Sequence, residues 1–194
     1  MSIRDDVTAF ARSLDGVSAD PSCPATRAKY LDLIAPGDPR AADLATLSGC
    51  ALTIRGILRA VGVDHPLLSR PYVIGHAMSD LLQLATAAGA AYTSRRDVEP
   101  GDIVVVGGGG SDGGGMEHTW MALSIDDCDA FAHVDPCEVI TGLDGGQRDA
   151  KGFQAIHVRE HQLQRGHDSA PGSATRLVRW VFDVEKIVAK FGRA

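Results

Sequence analysis

A thiol, an imidazole and a carboxylate held together can hydrolyse an amide: the thiolate attacks, the imidazole moves the proton, and the carboxylate orients the ring. Cys50, His118 and Asp144 offer these three groups in that order along the chain. Cys50 stands where an apolar helical pattern begins. Ala51, Ile54, Leu58 and Val61 recur at three- and four-residue spacing, Arg55 and Arg59 fall between them, and Gly62 follows as a stop. A cysteine in the first turn of such a helix meets unpaired backbone N–H groups and the positive end of the dipole, both of which favour thiolate. Ser48 or Gly49 would cap the helix.

His118 opens the strand-like run "EHTWMALSI" directly after a glycine-rich tract, where its ring can project from a strand end. Asp144 closes "EVITGLD", a second strand that would lie antiparallel to the first and bring a carboxylate to the imidazole, with Gly145 and Gly146 turning the backbone. His133 in "DAFAHV" is the rival third residue if that segment is the neighbouring strand. Trp120 and Gln147, close to His118 and Asp144 in sequence, are the candidate substrate contacts.

Other patterns carry less. The tract "GGGGSDGGG" at 107–115 satisfies G-x-G-x-x-G and G-x-S-x-G by glycine density, yet both motifs must open a helix and a strand follows here, so it reads as a hairpin loop. Cys128, His133 and Cys137 have C-x4-H-x3-C spacing, but no CxxC pair accompanies them and a fourth ligand is lacking, so no metal site is assigned. His157 and His161 share one face of a strand and read as solvated.

The elements that must position these residues fall into two halves. Helical patterns cover residues 3–14, 25–34, the Cys50 helix and 75–90; beyond residue 100, "GDIVVV", "EHTWMALSI", "EVITGLD", "FQAIHVRE" and "TRLVRWVFDV" read as strands, with "DVEKIVAKFG" as a closing helix. Helices first and strands second predict an α+β fold with an antiparallel sheet. The 194 residues, 44% hydrophobic and 23% charged, suit one domain, with 1–45 as a helical N-terminal extension and 46–183 as the catalytic core. A net charge of -6 without a Lys/Arg cluster argues against nucleic acid and anionic membranes as partners. No apolar run is long enough to insert in a membrane, and acidic residues in "MSIRDDVTAF" stand where a secretory signal would be apolar. The expected location is cytoplasmic, or outside the cell by a route without a cleaved signal. Four widely spaced cysteines suit a reducing compartment.

The order of Cys50, "EPGDIVVV" at 99–106 and "HTWMALSI" from 118 resembles the NlpC/P60 and CHAP superfamily of papain-like cysteine peptidases and amidases, over residues 45–160. The resemblance implies a papain-like fold, with N-terminal helices packed on an antiparallel β-sheet. It also implies a Cys50–His118–Asp144 triad, no cofactor, and a peptide or peptidoglycan fragment, commonly a bacterial cell-wall stem peptide, as substrate. Tyr30 is the candidate for an upstream tyrosine that borders the site in that family. The flanks of Cys50, Ser48-Gly49 and Ala51-Leu52, depart from the family's usual acidic or amide residue before the cysteine and serine-glycine after it. A noncatalytic binding domain of the same fold, or an exported antibacterial amidase, are the alternative readings.

Overall fold

The run Ile103–Gly107 (β2) is buried at every position, which requires cover on both faces of the strand. The computed structural model shows how. It describes residues 2–46, 49–71, 76–93, 98–107, 116–127, 138–164, 167–169 and 176–193. Strand β2 lies between β3 (Met116–Asp127) and β7 (Arg176–Phe182), antiparallel to both. The ladder continues through β4 (Glu138–Arg148), β5 (Gln154–Gln164) and β6 (His167–Ser169), and β6 pairs back onto β7. Six strands therefore close into an antiparallel barrel, while β1 (Ala91–Thr93) adds to the outer side of β7.

This overturns the expected papain-like arrangement of N-terminal helices on an antiparallel sheet. The closing element is a strand of three residues, His167, Asp168 and Ser169, too short and too polar to carry a strand signal. Register shifts between Val106 and Gly107, Val105 and Val106, Ala122 and Ser124, and Asp144 and Gln147 coil the sheet enough for its ends to meet.

Strand alternation sorts the side chains. Val104, Val106, Trp120, Ala122, Ile140, Val178 and Val181 fill the barrel. Ile103, Val105, Met121, Leu123, Leu143, Ile156 and Phe182 face outward into a second, larger core shared with the helices. A barrel this narrow is filled by side chains.

The helices are α1 (Ile3–Arg12), α2 (Pro24–Ile34), α3 (Ala41–Leu44), α4 (Cys50–Ala60), α5 (Pro66–Ser69), α6 (His76–Ala87) and α7 (Val184–Phe191). Helix α4 is central. It packs on β3 and β4 with α1, α2, α5 and α6 around it, and every residue from Cys50 to Leu58 is buried. Gly56 permits the close crossing with α2, since a Cβ there would stand 2.4 Å from the Leu33 carbonyl oxygen. Arg55, 3% exposed, gives hydrogen bonds to the Leu68 and Arg70 carbonyls and sits 3.7 Å from the buried Asp80 carboxylate, so this charge inside the core is paired.

The N-terminal segment is knitted into the same body. Gly16 and Ala19 donate backbone hydrogen bonds to Ile156 and Gln154 of β5, and Arg4 bonds Asp102 at 2.8 Å and Asp183 at 3.2 Å. Asp102 of "EPGD" is fully buried and accepts the Glu99 N–H, shaping the entry into β2. Among the described residues no helix is long and apolar enough to cross a membrane.

Candidate active site

Helix α4 begins at Cys50 because Gly49 is its N-cap and leaves room that a side chain would fill. A Cβ on Gly49 would stand 2.4 Å from Tyr30 Oη. On the other side, β4 comes equally close. A Cβ on Gly146 would lie 2.4 Å from Gly49 N and 2.7 Å from Cys50 N, and one on Gly145 would lie 2.3 Å from Thr53 Oγ1. Gly146 also has φ +73°, where glycine is at ease and other residues are strained. The paired glycines therefore form no turn after a strand end. They form a bulge within β4, which runs on to Arg148, and the bulge seats the positive end of α4 against the barrel rim.

Asp144 stands immediately before that bulge, opposite Trp120 in the β3–β4 register. His118, two residues earlier on β3, shares the inward face with Trp120. Its Nε2 lies 2.5 Å from Asp144 Oδ1 and donates to it. With Nε2 given to the carboxylate, Nδ1 is the ring nitrogen left for Cys50, whose thiol is near enough to His118 to act on its protonation. The three predicted catalytic groups are thus together.

Burial opposes a charge on His118, but the hydrogen bonds and negative charges of Asp144 and Cys50 outweigh it and push the ring up to about 9. Burial likewise works against the Asp144 carboxylate, and hydrogen bonds from His118 and His161 more than compensate, holding it below the usual carboxylate range. At neutral pH the site holds imidazolium and carboxylate. Tyr30 is fully buried, its Oη has no hydrogen-bond partner among the described residues, and burial, then the Cys50 charge, raise its pKa. Its hydroxyl remains a neutral donor beside Gly49 and Cys50.

The two residues expected to touch substrate are placed differently from each other. Gln147 Nε2 is 3.5 Å from His118 Nε2, two donors that face each other without a bond between them, and its Oε1 accepts from Arg159 at 3.3 Å. Trp120, by contrast, is fully buried in the barrel behind the triad, which removes it from direct substrate contact. His161, read as solvated, is 2% exposed and bonded to Asp144, and Arg159 Nη1 lies 3.8 Å from the same carboxylate. The sequence carried a signal for both: His157, Arg159 and His161 alternate along β5 and share one face. That polar face turns inward here because the barrel supplies its partners. The rival third residue His133, with Cys128 and Cys137, and the glycine tract at 108–115 lie outside the described residues.

Compared with known proteins, the chain matches no family model, no curated protein and no solved structure.

Proposed function

We propose that this chain is a cysteine hydrolase of peptide-type amides, with Cys50 as nucleophile, His118 as general acid and base, and Asp144 as the residue that orients His118. The observation that carries the reading is the convergence of a cysteine at the N-terminus of α4, an imidazole near it, and a buried carboxylate 2.5 Å from the far ring nitrogen. Dipole and imidazolium both favour thiolate at Cys50. The thiolate sulfur bonds to the amide carbonyl carbon, and the Cys50 N–H and the Tyr30 O–H serve the developing oxyanion. As the C–N bond breaks, His118 Nδ1–H passes its proton to the leaving amine, and a thioester remains. The neutral ring then takes a proton from water, whose oxygen attacks the thioester to release a carboxylic acid and restore the ion pair. The order of motifs that resembles NlpC/P60 and CHAP proteins supports bacterial cell-wall stem peptides as the substrate class.

Iodoacetamide at mildly acidic pH is expected to modify Cys50 ahead of the exposed Cys23 and the other two cysteines, despite the 5% exposure of Cys50. Peptide mass spectrometry reads the order, and hydrolysis of stem peptides by wild type against Cys50→Ala reads the activity. Alkylation of Cys50 only after denaturation, or equal turnover by Cys50→Ala, overturns the reading.

Tyr30→Phe separates an oxyanion donor from a packing residue. Removing a buried hydroxyl that makes no hydrogen bond among the described residues leaves the fold as stable as before or more so. Loss of an oxyanion donor lowers kcat by about a hundredfold to a thousandfold. Thermal unfolding and steady-state kinetics on the one variant distinguish the two, and unchanged kcat removes Tyr30 from the mechanism.

A further inference from the structure

Behind the triad, the interior of the barrel holds a second imidazole between two carboxylates. His161 Nε2 lies 3.2 Å from Asp144 Oδ2, and His161 Nδ1 lies 3.0 Å from Asp168 Oδ1 and 3.2 Å from Asp168 Oδ2. A carboxylate can only accept, so an imidazole wedged between two of them donates from both nitrogens and is a cation. Trp120 fixes this arrangement twice. Its ring stacks on His161 at 3.9 Å and 14°, the geometry of a cation over an aromatic face, and its Nε1–H donates to Asp168 Oδ2 at 3.1 Å.

Space for the pair is built in. A Cβ on Gly142 of β4 would stand 2.7 Å from Trp120 Cε3 and 2.8 Å from His161 Cδ2, so only glycine leaves room for the stack. Four strands contribute: Trp120 from β3, Asp144 from β4, His161 from β5 and Asp168 from β6. His161, Trp120 and Asp168 are 2%, 0% and 5% exposed, which keeps solvent from screening the charges.

We infer that His161, Asp168 and Trp120 form a positioning unit for the catalytic pair: His161 is a permanent buried cation that holds Asp144 ionised and aimed at His118, Asp168 keeps His161 charged, and Trp120 locks both. The inference rests on the hydrolase reading for its effect on rate, and on geometry alone for the charge state. The charged groups acting on His161 are Asp144 and Asp168; Arg159, on its own strand, faces Asp144 at 3.8 Å. The sign of the coupling follows. The His161 cation repels the His118 cation and partly neutralises Asp144, so it moderates how tightly His118 holds its proton and keeps the ring able to release it during turnover. Hydrogen bonds to Asp144 and Asp168 overcome the burial that opposes charge on His161 and raise its pKa.

The test is nitrogen-15 NMR of the histidine rings, with kinetics alongside. In wild type, both His161 nitrogens are expected to remain protonated through pH 8, whereas a His161 ring that loses a proton between pH 5 and 8 overturns the proposal. His161→Gln is expected to move the His118 midpoint upward by about one pH unit, carry the alkaline limb of the rate profile with it, and lower kcat about tenfold with KM unchanged. Where that variant fails to fold, Asp168→Asn serves: the His161 midpoint is expected to fall, since one of its two counter-charges is gone. A folded His161→Gln protein with an unmoved His118 midpoint and wild-type kcat refutes the unit while leaving the triad intact. A wild-type protein without hydrolase activity refutes the triad reading and the rate effect together, and the ring titrations still decide the charge coupling.

Discussion

Asp144→Asn is expected to lower turnover on stem peptides by about ten-thousandfold while leaving the chain folded. The carboxylate presents only acceptors to the ring and carries a charge, whereas an asparagine amide is neutral and can turn its NH2 toward the same nitrogen. Asp144 accepts the Nε2–H of His118 at 2.5 Å, which fixes the tautomer that presents Nδ1 to Cys50, and its charge is what holds the imidazolium against burial. With a neutral residue there the His118 midpoint falls from about 9, and the alkaline limb of the rate profile moves to lower pH, opposite to the shift expected for His161→Gln. Stability follows the same linkage. The folded-state pKa of His118, about 9, lies above its ordinary 6.5, so its contribution is complete below pH 6.5 and is lost as pH rises through 9. Wild type should therefore lose stability over that window, and Asp144→Asn should lose less of it. Urea unfolding at pH 6, 7.5 and 9 measures the slope. Wild-type kcat in the asparagine variant, or an alkaline limb that does not move, would remove Asp144 from the site.

Gly146→Ala is expected to lower kcat by more than a hundredfold and to slow alkylation of Cys50, although residue 146 bears no reacting group. The added Cβ would lie 2.4 Å from Gly49 N and 2.7 Å from Cys50 N, and both neighbours are backbone, which cannot swing aside as a long side chain can. The first turn of α4 must retreat from β4, carrying the thiol away from His118. Gly152→Ala is the matched control. Its φ of +85° imposes comparable backbone strain, but nothing lies within 4 Å of the new atom, so it should cost about 1 kcal/mol of stability and no activity. If Gly146→Ala alkylates and turns over like the control, the bulge does not set the site.

The local parts of this site are legible in the chain. Three- and four-residue apolar spacing marks α4 and leaves Cys50 at its head. β-branched and aromatic runs mark β2, β3, β4, β5 and β7, and the antiparallel neighbour relation of β3 and β4 follows from their order. The error lies in scale. "EVITGLD" reads as a strand ending in a glycine turn because glycine is the residue of turns, yet the same two glycines serve a bulge whose purpose, close approach to Gly49 and Cys50, involves residues nearly a hundred positions away. No local pattern contains that information.

What the amino-acid sequence by itself determines is which residues share a strand face, where the helix that carries Cys50 begins, and that a thiol heads that helix while an imidazole and a carboxylate lie on two strand-forming runs that follow it. Pleat and helical pitch are properties of a few consecutive residues, so they survive without a tertiary context. Only the tertiary structure decides which face is inside. β5 alternates His157, Arg159 and His161 against Ile156 and Val158, and by composition the histidine face belongs to solvent. Closure of the barrel through the three residues of β6 reverses this for His161, because it brings Asp168 across to one ring nitrogen as β4 brings Asp144 to the other. A buried charge is tolerable only where opposite charges and donors already surround it, and that condition is met by residues from four strands at once.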